Sequence, residues 1–258
     1  MARDCYDACI AYLDEQLGRL LGELERQGLL ADTEVIITSD HGEAFGEHGL
    51  FGHCYTVSLG EVAVPLVILS PGAPAGRVVS EPVSLRDLPA TVVDRLGLAA
   101  GSPFPGRSLA VCWDSPPGRI PPDAPSPAFS EQFNKTESQF QPGPWGMSPG
   151  FQMSIVASHH HYVRDGWGNE MLYDLSRDPY ERNDLLNFAD RKHEVVPFRR
   201  MLLKVLTDNP GSAEVERDYL GSYRRSLEAL VGEGPARGIA ADPGTTTAPV
   251  GRSRRSAS

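Results

Sequence analysis

An acid, an imidazole and a glycine stand in a row at Asp40-His41-Gly42, directly after Val35-Ile36-Ile37-Thr38-Ser39. A carboxylate oxygen and an imidazole nitrogen side by side can both bind one divalent cation. The same pair can also do no more than cap a turn through hydrogen bonds to nearby amides. The β-branched run before it reads as a buried strand, and in an α/β sheet ligands gather at the carboxyl ends of strands. The loop that follows, Gly42 to His53, holds Gly42, Gly46, Gly49 and Gly52 with Glu43, Glu47, His48 and His53. Such a composition lets backbone and short side chains approach a charged ligand closely. His53 can return to the Asp-His pair only if the loop folds back on itself. His48, alone among glycines, reads as a surface residue.

Elements on both sides must position this stretch. Apolar residues at Tyr6, Ile10, Leu13, Leu17, Leu20, Leu21 and Leu24 fall at helical spacing, which predicts a helix with one buried stripe. Cys5 and Cys9 on that helix read as small core thiols. Val62 to Leu69 reads as a second buried strand, with Pro65 marking an edge or a bulge. Ser84 to Gly97 has readable helix ends, with Asp87 as N-cap, Pro89 in the first turn and Gly97 as the stop. Residues 101–127, rich in Pro, Gly and Ser, read as an irregular connection.

Beyond that connection, Phe129–Glu131, Gln152–Ala157, His160–Arg164 and Glu170–Leu175 read as short strands of an antiparallel sheet. His159-His160-His161 invites a metal reading, but alternate residues of a strand face opposite ways, so the three cannot converge. Helical stretches at His193–Thr207 and Glu214–Val231 follow, and the tail from Gly232 to Ser258 has the composition of a disordered segment.

Composition narrows the classes. Against 24 basic residues stand 34 acidic ones, for a net charge of −10, which argues against general nucleic-acid binding. No apolar run approaches the ~18 residues of a membrane span. Cys5, Cys9, Cys54 and Cys112 form no CxxC pair and no zinc spacing. The first residues, Met1-Ala2-Arg3-Asp4, read as the start of a helix and not as a signal peptide, and the compartment stays open.

Several stretches together resemble the sulfatase family of the alkaline phosphatase superfamily. They are Tyr6-Asp7 … Asp14 … Gly18 … Leu24, Thr33 to Glu43, the Gly46-Glu47-His48-Gly49 loop, and Val64-Pro65-Leu66-Val67-Ile68 with Pro71-Gly72. Leu85 to Thr91 with Gly106-Arg107-Ser108-Leu109, and Leu172-Tyr173-Asp174-Leu175 … Asp178-Pro179 … Glu181 to Leu185, continue it in order. The resemblance implies an α/β fold: part of an alkaline-phosphatase-like α/β/α sandwich, followed by a small C-terminal antiparallel sheet with helices. It divides the chain into the C-terminal half of a catalytic α/β domain (1–115), a Pro-rich connection (116–127), an antiparallel β subdomain (128–190), C-terminal helices (191–231) and a disordered tail (232–258).

The same resemblance implies that Asp40 and His41 are metal ligands. The ion is calcium in the family, with magnesium or manganese left open by the histidine. It places His53 where the family contacts the sulfate and steadies the leaving oxygen. The implied substrate is a small-molecule or saccharide sulfate monoester, with a phosphodiester or phosphonate ester as the alternative. The family's nucleophile is a formylglycine made from a Cys/Ser-x-Pro/Ala-x-Arg motif that precedes all of these stretches. Cys5, Cys54 and Cys112 fail that motif, so no nucleophile is expected here, and neither is the strand bearing the first acidic metal ligands. The expectation is a fragment that is inactive in isolation, or a non-catalytic chain. Its open sheet edge would need the missing half or self-association.

Overall fold

The structure is a computed structural model and describes residues 2–98, 100, 104–114, 127–134, 150–208 and 214–232. The Pro-rich connection at 116–126 and the tail beyond Gly232 lie outside the described residues.

The chain begins with α1 (Ala2–Arg26) and a short turn, Leu30–Asp32, leading into β1 (Val35–Thr38). Next come the two short strands of a hairpin, β2 (Ala44–Phe45) and β3 (Phe51–Gly52), then α2 (Leu59–Val62) and β4 (Leu66–Leu69). β4 returns antiparallel to β1, pairing Val35 with Leu69 and Thr38 with Leu66. The strand foreseen over Val62–Leu69 is therefore shorter. Its first residue, Val62, ends α2 instead, and Pro65, which has no amide to give to a ladder, precedes the pairing.

Helix α3 (Asp87–Arg95) lies beyond, with Gly97 ending it at a φ of 69°. Arg86, not Asp87, holds the N-cap place. The Asp87 carboxylate instead accepts from Ser84 N at 3.2 Å and Arg107 N at 3.0 Å. It thereby fastens the helix start to the Gly106–Leu109 segment before α4 (Val111–Asp114). Arg95 Nε reaches Glu34 Oε1 at 3.1 Å, tying the other end of α3 to the entry of β1.

Strands β5 (Ala128–Asn134), β6 (Gly150–Ala157), β7 (His160–Arg164) and β8 (Glu170–Asp174) form an antiparallel meander in chain order. Helices α5 (Val196–Asp208) and α6 (Glu214–Gly232) cover one face. There Met153, Ile155, Tyr162 and Leu172 pack on Val195, Phe198, Leu202 and Leu227. The other face, with Val163, Met171 and Tyr173, packs on Val57, Leu50 and Val62. Period-2 alternation divides these residues between two cores. It also separates the three histidines: His159 is exposed, His160 lies beside the Phe198 ring and His161 is fully buried on the opposite face.

The N-terminal elements are much less covered than the sequence suggests. On α1, Ile10 is 51% and Leu13 56% exposed, and Cys5 and Cys9 are exposed thiols rather than core residues. β1 and β4 are half-buried, with Val67 and Leu69 open to solvent. Apolar spacing fixes where a stripe lies but not what covers it. Here the Leu30–Asp32 turn and the Phe45 ring, 4.9 Å from that of Tyr6, reach only part of the helix.

One carboxylate joins the two parts. Glu181, 3% exposed and at a φ of 55°, pairs with His161 Nδ1 and accepts from Leu59 N at 2.9 Å. Burial alone would raise this carboxyl, but hydrogen bonding from His161 and His48 outweighs burial and holds it at about 2.

Two outcomes follow from this uneven packing. Leu202→Ala should lose about 2–5 kcal/mol of unfolding free energy, whereas Ile10→Ala should stay within about 0.5 kcal/mol, both read by denaturant titration of near-UV circular dichroism. An Ile10 variant as damaging as the Leu202 one would show that α1 is covered in solution. Glu181 titrates below its ordinary value of 4.5, so its contribution is full above pH 4.5 and fades as pH falls towards 2. Wild type should lose stability progressively as pH falls through that window, and Glu181→Gln should flatten the acid limb of the same titration.

Candidate functional site

The site is built on the exit of β1. Ser39 Oγ donates to the His41 carbonyl at 2.7 Å, and the Asp40 carboxylate accepts from His41 N at 3.0 Å, so the chain turns sharply. Gly42 then runs directly against α2. Its amide donates to the Glu61 carbonyl at 2.7 Å, and a Cβ at this position would lie 2.2 Å from the Gly60 carbonyl oxygen. Only glycine permits that approach. Glu61, itself buried, accepts from Tyr55 N at 3.0 Å and Thr56 Oγ1 at 2.9 Å, which closes the far side of the loop.

Between these anchors the β2–β3 hairpin doubles the chain back. It pairs Ala44 with Gly52 and Phe45 with Phe51, and Gly46 at a φ of 107° opens its apex. The fold-back brings His53 onto His41, their rings stacked with centroids 4.2 Å apart. Glu43 Oε2 lies 2.9 Å from His53 Nδ1. One ligand atom each from His41, Glu43 and His53 lies within 4.8 Å of the others. Asp40 borders the group, its Oδ2 3.8 Å from His41 Nε2 and its side chain 88% exposed.

Local hydrogen bonds set the chemistry of these groups. His41 Nδ1 lies 2.8 Å from the Gly42 carbonyl, so it carries the proton and donates, which leaves the Nε2 lone pair outward. That carbonyl contact, with help from Asp40 and Glu43, raises the His41 pKa. Amide donation from its own backbone and from His41 holds the Asp40 carboxyl below the usual carboxylate range. The converging donor set of one carboxylate and two imidazoles, with Asp40 at its edge, suits a divalent cation. It is less suited to calcium than an all-oxygen shell.

The structure thus brings His41 and His53 together and adds Glu43, which sequence reasoning left without a role, while Asp40 stands beside them with its side chain mostly in solvent. His48 is not the surface residue that it resembled. Its side chain is 13% exposed and its Nε2 lies 3.7 Å from Glu181 Oε2. Nothing local announces this, because its partner comes from far along the chain. A serine form of the nucleophile spacing does occur, at Ser115-Pro116-Pro117-Gly118-Arg119, contrary to the expectation that the motif is absent. It follows the Asp-His pair instead of preceding it and lies outside the described residues, so no role is assigned to it.

Comparison with known proteins agrees with this architecture. The family described as Sulfatase matches residues 1–98. Arylsulfatase K of Bos taurus is 32% identical over 222 residues, covering 81% of this chain and 37% of that protein. N-acetylglucosamine-6-O-sulfatase of Bacteroides thetaiotaomicron is 27% identical over 227 residues, covering 86% and 39%. Among solved structures, the phosphonate monoester hydrolase of Agrobacterium radiobacter superposes with a TM-score of 0.64 at 29% identity, covering 77% of this chain and 40% of that one. The chain spans about two fifths of the length of the relatives it matches. A sulfatase relationship suggests a divalent metal, for which His41, Glu43 and His53 offer a possible site. With its α/β fold, this chain is a partial sulfatase-like sequence.

Proposed function

We propose that this chain supplies part of a hydrolase site for sulfate monoesters, with Asp40 and His41 as ligands to a divalent metal and His53 as the contact to the ester. The observation that carries this reading is the stacking of His53 on His41 by the folded-back loop, with Glu43 fixing His53 Nδ1. A bound divalent ion supplies Lewis-acid polarisation of ester oxygens. His53, steered by Glu43, directs Nε2 towards the leaving oxygen. A hydrogen bond or proton given there stabilises the charge that develops as the ester bond breaks. The Gly42 contact with α2 holds His41 at the strand end while the substrate binds.

Calcium is the ion that the family resemblance favours. The His41 imidazole leaves magnesium or manganese open as alternatives. The name of the Bacteroides relative points to a sulfated sugar as substrate. The phosphonate monoester hydrolase likeness supports a second reading, a phosphorus ester at the same residues, because both ester classes present tetrahedral oxyanions to a metal and an imidazole. No described residue takes the part of nucleophile, and the Ser115 spacing follows the Asp-His pair instead of preceding it; on this reading the chain by itself turns over neither class. The open α1 face and the edges of β1 and β4 are where further sulfatase-like polypeptide, or a second copy, would complete the sheet.

Calorimetric titration of the full chain with calcium, magnesium and manganese salts tests the ligand assignment. Asp40→Asn should weaken binding about tenfold or more, and an unchanged affinity would remove Asp40 from the ligand set. Assayed on an aryl sulfate and an aryl phosphate, the chain should release no product. Clear turnover of either would overturn the account of the nucleophile.

A further inference from the structure

We infer that Glu181 is a positioning residue for the loop bearing Glu43 and His53, a role that rests on the proposed reading of that loop. The residue stands in the turn after β8, 122 positions from the nearest loop residue whose backbone it holds. One carboxylate oxygen engages His161 Nδ1 on β7. The other accepts from Leu59 N at 2.9 Å and lies 3.7 Å from His48 Nε2.

The two loop contacts sit at separate, telling places. His48 is at the apex of the β2–β3 hairpin, whose two legs carry Glu43 on one side and His53 on the other. Leu59 is the first residue of α2, and α2 gives the Glu61 carbonyl that holds Gly42 beside His41. A single carboxylate therefore grips the loop at its tip and at its exit, and passes both constraints to the antiparallel sheet through His161. Both His48 and Glu181 are held at positive φ, 54° and 55°. Non-glycine residues take up this backbone only where the surroundings enforce it. A buried ion pair serving general stability alone would not need to join these two points of one loop.

The isosteric Glu181→Gln change keeps the volume but leaves one acceptor oxygen for donors on both sides, and turns an amide NH2 towards the other. In the full chain, hydrogen exchange at the Gly42 and Leu59 amides should speed up about tenfold or more, since a bond to a charged acceptor is worth that factor. The Ile155 amide of β6, which reports global opening, should speed up by a clearly smaller factor. Affinity for Mn2+, measured by calorimetry, should fall about tenfold, as for groups that orient ligands without binding the metal. His48→Gln should lower the Mn2+ affinity and loosen the hairpin while the Leu59 amide keeps its protection.

Unchanged exchange over residues 42–61 in Glu181→Gln would overturn the inference. So would acceleration that extends equally to β6, which would make Glu181 a general stabiliser. If wild type fails to bind Mn2+, the metal reading falls by itself, and the exchange measurements still decide whether Glu181 sets the loop.

Discussion

The contact on which this structure most depends is made by backbone atoms. The Gly42 amide meets the Glu61 carbonyl at 2.7 Å, with no room for a Cβ against Gly60. That contact makes a closed loop of residues 42–61. Once the ends are fixed, a hairpin of two paired positions per strand is enough to carry His53 back over His41. Glu61 reinforces the closure from within by accepting from the amide and hydroxyl groups of Tyr55 and Thr56. The catalytic reading is thus a consequence of loop geometry more than of any one side chain.

Stability is distributed unevenly around this loop. On one side it leans on the β5–β8 sheet through Leu50, Val57 and Val62, and on Glu181 through His48 and Leu59. On the other side, α1, β1 and β4 keep much of their apolar surface open. The well-packed sheet and its helices therefore serve as the base that holds the site from below. The strand that presents Asp40 and His41 is the less covered of the loop's two supports. A candidate site whose residues belong to a lightly covered strand and a clamped loop gains its order mainly from the clamp.

Sequence reasoning located much of this. The β-branched run ending in Asp40-His41-Gly42, the antiparallel strands after residue 128 and the helix ending at Gly97 were legible because each rests on short-range periodicity or turn chemistry. The buried stripe expected on α1 and the core thiols expected at Cys5 and Cys9 are overturned, since most of these residues are exposed. Burial depends on what lies opposite, and spacing along one helix carries no such information. Val62 shows the complementary error, since an apolar residue ahead of a proline fits the end of a short helix as readily as a strand.

What the sequence determined by itself was the kind of groups available and their local order: an acid and an imidazole at a strand end, a glycine-rich loop after them, and sheet strands of alternating character. Tertiary structure alone decided which of those groups meet. His41 and His53 are stacked, Glu43 is joined to His53, and His48 is withdrawn from solvent by a carboxylate that lies far along the chain. The reason is physical. Hydrogen bonds between distant residues, and the burial of charge that they permit, depend on the closed chain path, and no local pattern encodes that path.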